Sequence, residues 1–216
     1  ITRFGYDAFG NLGTVTDALN AVTTNKYDKA DRLIEVWRPV RSGGIQLKEF
    51  YTYDGLGQRL SHATNVDVAG NINEPVGKTI KETTDYDAEG RVISTKSFGG
   101  LVTTYNYTFI SIASGYANTF NLGNFGGWST SIVNPAGLTS YETKDIFGRV
   151  LWRRDFGAHD FSYTYDRAGR LTYQYNTQGQ SIDFTYYNNG YVKSITDNAL
   201  KMRSTFEYDN DGNRTL

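Results

Sequence analysis

The chain has 216 residues, 22 Lys and Arg against 23 Asp and Glu, and a formal net charge of -1. Charges of both signs are mixed along it, so there is no electrostatic footprint for nucleic acid or an anionic membrane. No apolar run reaches the roughly 18 residues of a membrane span, and the absence of cysteine excludes disulfides, thiolate nucleophiles and Cys-ligated metals. Seventeen Tyr and 23 Gly against three Pro and one Met favour strands and turns over helices.

Taken in chain order, one phrase recurs. It reads YDAFGNL from Tyr6, YDKADRL from Tyr27, YDGLGQR from Tyr53, YDAEGRV from Tyr86, KDIFGRV from Lys144, YDRAGRL from Tyr165, YYNNGYV from Tyr186 and YDNDGNR from Tyr208. From Asn134 onward the spacing is close to 21 residues, and a second phrase keeps the same step: NPAG at Asn134, DFGA at Asp155, NTQG at Asn176 and DNAL at Asp197. A fixed period in this range marks a repeat architecture.

The phrases have a physical reading. A type I turn favours Asp or Asn at its first position and Gly at its fourth. Asp7 to Gly10, Asp54 to Gly57, Asp87 to Gly90, Asp145 to Gly148, Asp166 to Gly169 and Asp209 to Gly212 fit, while Asp28 pairs with Asp31 and Tyr186 precedes a turn ending at Gly190. Turn starts alternate 10 and 11 residues apart, which leaves six or seven residues per strand. Each unit is therefore expected to be an antiparallel β-hairpin, and the fold all-β.

The grammar is looser toward the N-terminus. Insertions are expected around Arg38 to Gly44 and Asn65 to Thr79, at hairpin ends where extra length is tolerated. Leu200 stands where the turn at Asp197 would have Gly. At Thr108 the pattern fails, although Tyr107 keeps the aromatic position, and residues 108–130 form a Gly-rich aromatic excursion expected to pack against one sheet face.

Strand alternation places Phe161, Tyr163 and Tyr165 on one face, and Leu171, Tyr173 and Tyr175, then Ile182, Phe184 and Tyr186, are expected to repeat this. Successive strands would then present aromatic ladders, with tyrosine hydroxyls left for water or a partner. Ala21 to Tyr27 is polar on both sides. A sandwich needs one clean apolar face per strand, so the expectation is a sheet wet on both faces and closed over a solvent-filled space.

The YDxxGR phrase with an intervening DxxG resembles the RHS or YD repeat of bacterial polymorphic toxins, the B and C components of insecticidal Tc toxins, and animal teneurins. Eight copies and a degenerate ninth at Tyr107 extend the resemblance over essentially the whole chain. It implies that residues 1–216 are one fragment of a curved hairpin strip forming part of a hollow shell. In bacterial members such a shell encloses a C-terminal toxin polypeptide; in teneurins it serves adhesion. The partners implied are flanking repeats of a longer parent chain and the enclosed toxin, and the localisation is secreted or cell-surface in a bacterium. The autoproteolytic segment that follows the last repeat in bacterial toxins is not found. NPAGL at Asn134 is similar to its DPxGL signature but falls in phase with the second turn.

Other chemistries weigh less. The aspartates at 7, 28, 54, 87, 145, 166 and 209 include candidates for paired acid and base, but all sit at turn starts. His62 and His159 lie far apart in sequence with no metal-ligand spacing, and no nucleophile elbow or phosphate loop is present. No catalytic group, cofactor or metal is expected. Trp37, Trp128 and Trp152 raise the alternative of a glycan-binding or adhesion module, although Trp152 lies in a repeat strand beside Val150 and Trp37 follows Leu33 and Ile34. Strand edges left at the ends of an isolated piece are expected to invite self-association.

Overall fold

The computed structural model describes residues 1–40, 46–65, 79–111 and 126–215. The chain divides into two compact units, Ile1–Thr104 and Tyr105–Leu216. The first holds β1 (Arg3–Tyr6), β2 (Leu12–Thr16), β3 (Val22–Tyr27), β4 (Leu33–Trp37), β5 (Lys48–Tyr53), β6 (Arg59–Asn65), β7 (Thr79–Tyr86) and β8 (Val92–Lys96). The beginning of β9 (Val102–Ile110) pairs with β8. The second unit holds the rest of β9 with β10 (Gly127–Val133), β11 (Thr139–Asp145), β12 (Val150–Arg154), β13 (Asp160–Tyr165), β14 (Leu171–Asn176), β15 (Ser181–Tyr186), β16 (Val192–Asp197) and β17 (Met202–Thr205). Within each unit every strand is antiparallel to its chain neighbour, and no helix occurs among the described residues. The fold class is all-β, built from hairpins.

The hairpin corners follow from their residues. Gly10, Gly57, Gly90, Gly148, Gly169, Gly190 and Gly212 have φ between 81° and 94°, the left-handed region that lacks a steric penalty only for glycine. In each corner that glycine donates its N–H to the carbonyl of the first residue, as from Gly169 to Asp166 at 3.0 Å, and the first residue donates to the fifth, as from Asp166 to Arg170 at 2.9 Å. This is a type I turn closed by a left-handed residue, a standard three-residue hairpin loop.

The corners of the YD phrase carry one further feature. Register shifts at Gly5/Tyr6, Lys26/Tyr27, Thr52/Tyr53, Asp85/Tyr86, Thr143/Lys144, Thr164/Tyr165 and Thr185/Tyr186 mark a β-bulge at each. The DxxG corners have none, since Thr16 pairs with Val22 and Val15 with Thr23 in unbroken steps. A 21-residue repeat is odd and would flip every side chain to the other face of a strictly alternating strand. One bulge per repeat absorbs the odd residue and restores the phase.

The bulge also corrects the expected aromatic ladders. Tyr163 pairs with Gln174 and Thr164 with Tyr173, so Tyr173 and Tyr175 lie on the face opposite Phe161 and Tyr163. Gln174 in turn pairs with Ile182, which returns Ile182 and Phe184 to the side of Tyr163. Aromatic residues thus occupy both faces, and the rung partner of each of these tyrosines is polar. At Asp197 the left-handed residue is Lys201 with φ of 55°, not Leu200, so that corner is one residue longer than the others.

The 108–130 stretch is shorter than expected at both ends, because β9 continues through Thr108 to Ile110 and β10 starts at Gly127. Residues 112–125, and the expected packing of that stretch, lie outside the described residues, as do most of both N-terminal insertions.

Burial is shallow. Among the described residues the buried apolar side chains are Val36, Ala63, Ile110 and Leu151, with Tyr165 packed on the last two. The most deeply buried side chains are Thr143 and Ser194. Strands such as β2 and β13 are half-buried at every position and show no clean division into an inside and an outside. Among the described residues, stability rests on local ladders and corners rather than on a shared core.

Ala158 occupies the left-handed position of its corner with φ of 62°. Left-handed backbone costs an L-residue about 1–2 kcal/mol, and glycine costs about 0.5–1 kcal/mol in chain entropy. Ala158→Gly should therefore raise stability by about 0.5–1 kcal/mol in urea unfolding; an unchanged or lower midpoint would contradict this origin of the corner.

Candidate functional site

The repeated corner is the place where the motif residues meet, and each has a defined job. The carboxylate of the leading Asp turns back over its own loop. Asp166 Oδ1 accepts the N–H of Ala168 at 2.9 Å and of Arg170 at 2.9 Å. Asp7, Asp28, Asp54, Asp87, Asp145 and Asp209 do the same to their second and fourth following residues. Two backbone donors that the tight loop would leave unpaired are satisfied by one side chain.

The other carboxylate oxygen takes the side chain four residues on. Arg32, Arg91, Arg149 and Arg170 each place Nε 2.7–2.8 Å from Oδ2 of Asp28, Asp87, Asp145 and Asp166. A second guanidinium nitrogen pairs with the same oxygen at Asp28, Asp145 and Asp166. Asn11 and Asn213 replace the arginine with an amide. Tyr187 replaces the Asp in its corner, where the N–H of Tyr191 is instead accepted by Asn189 Oδ1 at 3.2 Å.

These side chains also tie one corner to the next along the same edge. Arg32 Nη1 reaches the Asp54 carbonyl at 2.7 Å, Gln58 Nε2 the Gly90 carbonyl at 2.8 Å and Arg170 Nη1 the Tyr187 carbonyl at 3.1 Å. Asn11 Nδ2 lies 2.7 Å from Asp31 Oδ1. The guanidinium stacks on the next tyrosine as well, Arg32 on Tyr53 at 5.0 Å, Arg149 on Tyr165 at 5.2 Å and Arg170 on Tyr186 at 4.7 Å.

The tyrosine completes the link, and its hydroxyl is not left for a partner as expected. Tyr27 donates to the Leu12 carbonyl at 3.1 Å, Tyr53 to Leu33 at 2.8 Å, Tyr86 to Arg59 at 3.2 Å, Tyr165 to Val150 at 2.9 Å and Tyr186 to Leu171 at 2.7 Å. In every case the acceptor lies six residues after the Y position of the preceding repeat. That carbonyl belongs to the first strand residue after the corner, beside the bulge, where the ladder is interrupted. Tyrosine is required because phenylalanine has the ring but no donor.

Beneath the corners, hydroxyl pairs span the hairpins: Thr52 with Ser61 at 2.6 Å, Thr164 with Thr172 at 3.1 Å and Thr185 with Ser194 at 2.7 Å. Ser61 and Ser194 are buried by this packing. Neither the arginine bridge nor these rungs is visible in the sequence, although the recurring Arg after Gly and the Thr before Tyr are their traces.

The remaining candidates are dispersed. His159 belongs to a corner, with Nδ1 3.0 Å from Asp155 Oδ2. His62 lies in the other unit between Glu49 and Glu82. Among the described residues no group of three or more His, Asp or Glu is arranged to hold a metal. The Trp37 ring has the ammonium groups of Lys26 and Lys48 each 4.1 Å from its centroid and donates Nε1–H to Glu35 at 2.8 Å. Trp152 lies 6.0 Å from Tyr141 with Arg154 over its ring at 5.5 Å, and Trp128 meets the edge of Phe109 at 5.2 Å.

No family model and no curated protein matches the chain. Among solved structures, it is similar to a crystal structure of TcdB2–TccC3–Cdc42 at 14% identity and a TM-score of 0.48, covering 99% of this chain and 12% of that one. A Tc holotoxin pore of Photorhabdus luminescens aligns at 14% identity and 0.47, again over 99% and 12%, and TcdB2–TccC3 at 13% and 0.47, over 96% and 13%. The chain therefore spans about an eighth of the chains it resembles.

Two outcomes follow from the corner. Removing the hydroxyl in Tyr186→Phe leaves the Leu171 carbonyl without its donor and should cost about 0.5–1.5 kcal/mol in urea unfolding; no loss would show the bond to be idle. The corner carboxylates respond to acid. In Asp7, Asp155 and Asp166 the pKa is lowered first by the N–H of the fifth corner residue, and in Asp28 and Asp209 first by its side chain. In Asp87, burial acts upward and is outweighed by the N–H and guanidinium of Arg91. A carboxyl held below its unfolded value of 3.8 adds stability that is present above that pH and lost as pH falls through the folded values. The urea midpoint should fall as pH drops below about 4; a midpoint unchanged between about pH 4 and pH 2 would contradict the bonding described.

Proposed function

We propose that this chain is one section of a wall: a hairpin strip that, with further repeats of the same kind, encloses a polypeptide cargo. The observation that carries this reading is the serial clasp from corner to corner in a sheet with shallow burial. A globular binding protein or enzyme gathers its elements around a core and a cleft. Here each hairpin is held by its chain neighbours, which is the arrangement of a repeat array that can be extended without limit.

The chemistry of the faces supports the same role. Thr, Ser, Tyr and paired charges are interspersed among the aromatic rings, so an unfolded cargo meets few broad apolar patches. The resemblance of YDxxGR to the RHS/YD repeat names the cargo class as a toxin polypeptide of a secreted or injected bacterial protein, with flanking repeats as the other partner. No catalytic role is assigned to the chain itself. The adhesion and glycan reading has less behind it, because the rings of Trp37 and Trp152 are already engaged by lysine and arginine side chains.

Electron microscopy of the full-length polypeptide that carries this chain tests the reading. The expected result is a hollow particle with internal density that disappears when the sequence following the repeats is deleted. A solid particle, or an open ribbon with nothing inside, would overturn it.

A further inference from the structure

The first unit contains a row of charges that the corner design does not require. On one face of the sheet, Tyr51 of β5 stands directly opposite His62 of β6, and His62 directly opposite Glu82 of β7. Glu49, two residues before Tyr51, lies on the same face. His62 Nδ1 is 3.3 Å from Glu82 Oε1, and His62 Nε2 is 3.5 Å from Glu49 Oε2. Each carboxylate is flanked on its outer side by an arginine: Arg38 Nη2 at 2.8 Å from Glu49 and Arg59 Nη2 at 3.3 Å from Glu82. Tyr51 stacks on the imidazole at 4.7 Å with the rings 9° apart and donates its hydroxyl to Glu49 at 2.6 Å. Phe98, from the loop after β8, closes the site by its edge at 5.2 Å.

The site is sheltered, with one fifth of the His62 side chain exposed, and Nε2 itself is buried without a hydrogen-bond partner. The carboxylate beside it stays charged: burial acts upward on Glu49 but is outweighed by the bonds from Tyr51 and Arg38. Tyr51, whose pKa is pushed up to about 12 by burial and by Glu49, remains a hydroxyl donor. Two acceptors therefore face the two ring nitrogens. A neutral imidazole has one N–H and can serve one of them, leaving a lone pair against the other carboxylate; an imidazolium serves both.

We propose that His62 is a proton-operated staple across β5, β6 and β7. When it takes up a proton, the row becomes an unbroken alternation of Arg38, Glu49, His62, Glu82 and Arg59, and three strands are cross-linked by charge-assisted bonds. When the proton leaves, the Glu49 side of the staple opens. Imidazole is the side chain whose charge changes between about pH 5 and 8, so the first unit tightens under mildly acidic conditions and loosens at neutral pH. The second of its carboxylate bonds forms only when the ring is protonated, so the staple's contribution to stability is present at the acid end of that window and lost as pH rises through it. This is opposite in sign to the corner aspartates and separated from them in pH. The inference stands on the row alone and does not depend on what the strip encloses.

The test uses the full 216-residue chain, whose two histidines, His62 and His159, give two imidazole signals by NMR. Glu82→Gln should move the His62 titration to lower pH and leave that of His159 in place; Glu49→Gln serves the same purpose if the first variant does not fold. The melting temperature of the unsubstituted chain should rise by about 2–4 °C between about pH 8 and pH 5.5, and this rise should vanish in His62→Gln. A His62 titration unmoved by both carboxylate substitutions would overturn the proposal. So would a His62→Gln chain that gains the same stability on acidification.

Discussion

A single carboxylate at each hairpin corner sets the terms for the rest of the structure. In a three-residue loop the backbone turns too sharply to pair the N–H groups of the second and fourth residues after the leading Asp with the ladder. Asp166 and its equivalents supply both acceptors from one oxygen, and their second oxygen orients the arginine that leads to the next repeat. The local bond that makes a turn is thereby joined to a longer-range bond that makes an array. Where the Asp is missing, at Tyr187, the corner keeps its shape through Gly190 and borrows an acceptor from Asn189. The same physical requirement is met there by a different residue.

Order is propagated by a second constraint, the mismatch between an odd repeat and a two-residue strand period. The bulge after each YD corner resolves it and leaves a gap in the ladder beside a strand carbonyl. The tyrosine hydroxyl of the following repeat fills that gap, in five hydrogen bonds of one geometry. Bulge and tyrosine are therefore one device. Without the bulge the repeat would lose its facial phase, and without the hydroxyl the bulge would leave a carbonyl unpaired. Because buried apolar side chains are few among the described residues, many such small terms do there what a core does in a globular domain.

Much of this was legible in the sequence, because corners are local. Asp or Asn at the first position and Gly at the fourth specify a turn within four residues, and their spacing fixes strand length and all-β character without knowledge of tertiary contacts. The facial arrangement was not legible. Tyr173 and Tyr175 alternate in sequence just as Phe161 and Tyr163 do, and only the extra residue at Thr172 decides that they face opposite ways. The hydroxyl of Tyr186 looked available because its acceptor, Leu171, is 15 residues distant and is exposed to it only through the bulge. His62 looked isolated for a related reason. Its carboxylates come from strands on either side, one of them beyond the insertion that precedes β7, and no spacing in the chain announces that they meet.

If neighbours hold each hairpin and no common core does, damage at one corner must stay local. Residue-resolved hydrogen exchange on Asp166→Ala, compared with the unsubstituted chain, measures this. Serial clasping requires protection to fall in β13 to β16, the hairpins joined at and next to that corner, and to be retained in β2 to β6. Loss of protection spread evenly over every strand, or none even in β13 and β14, would contradict it.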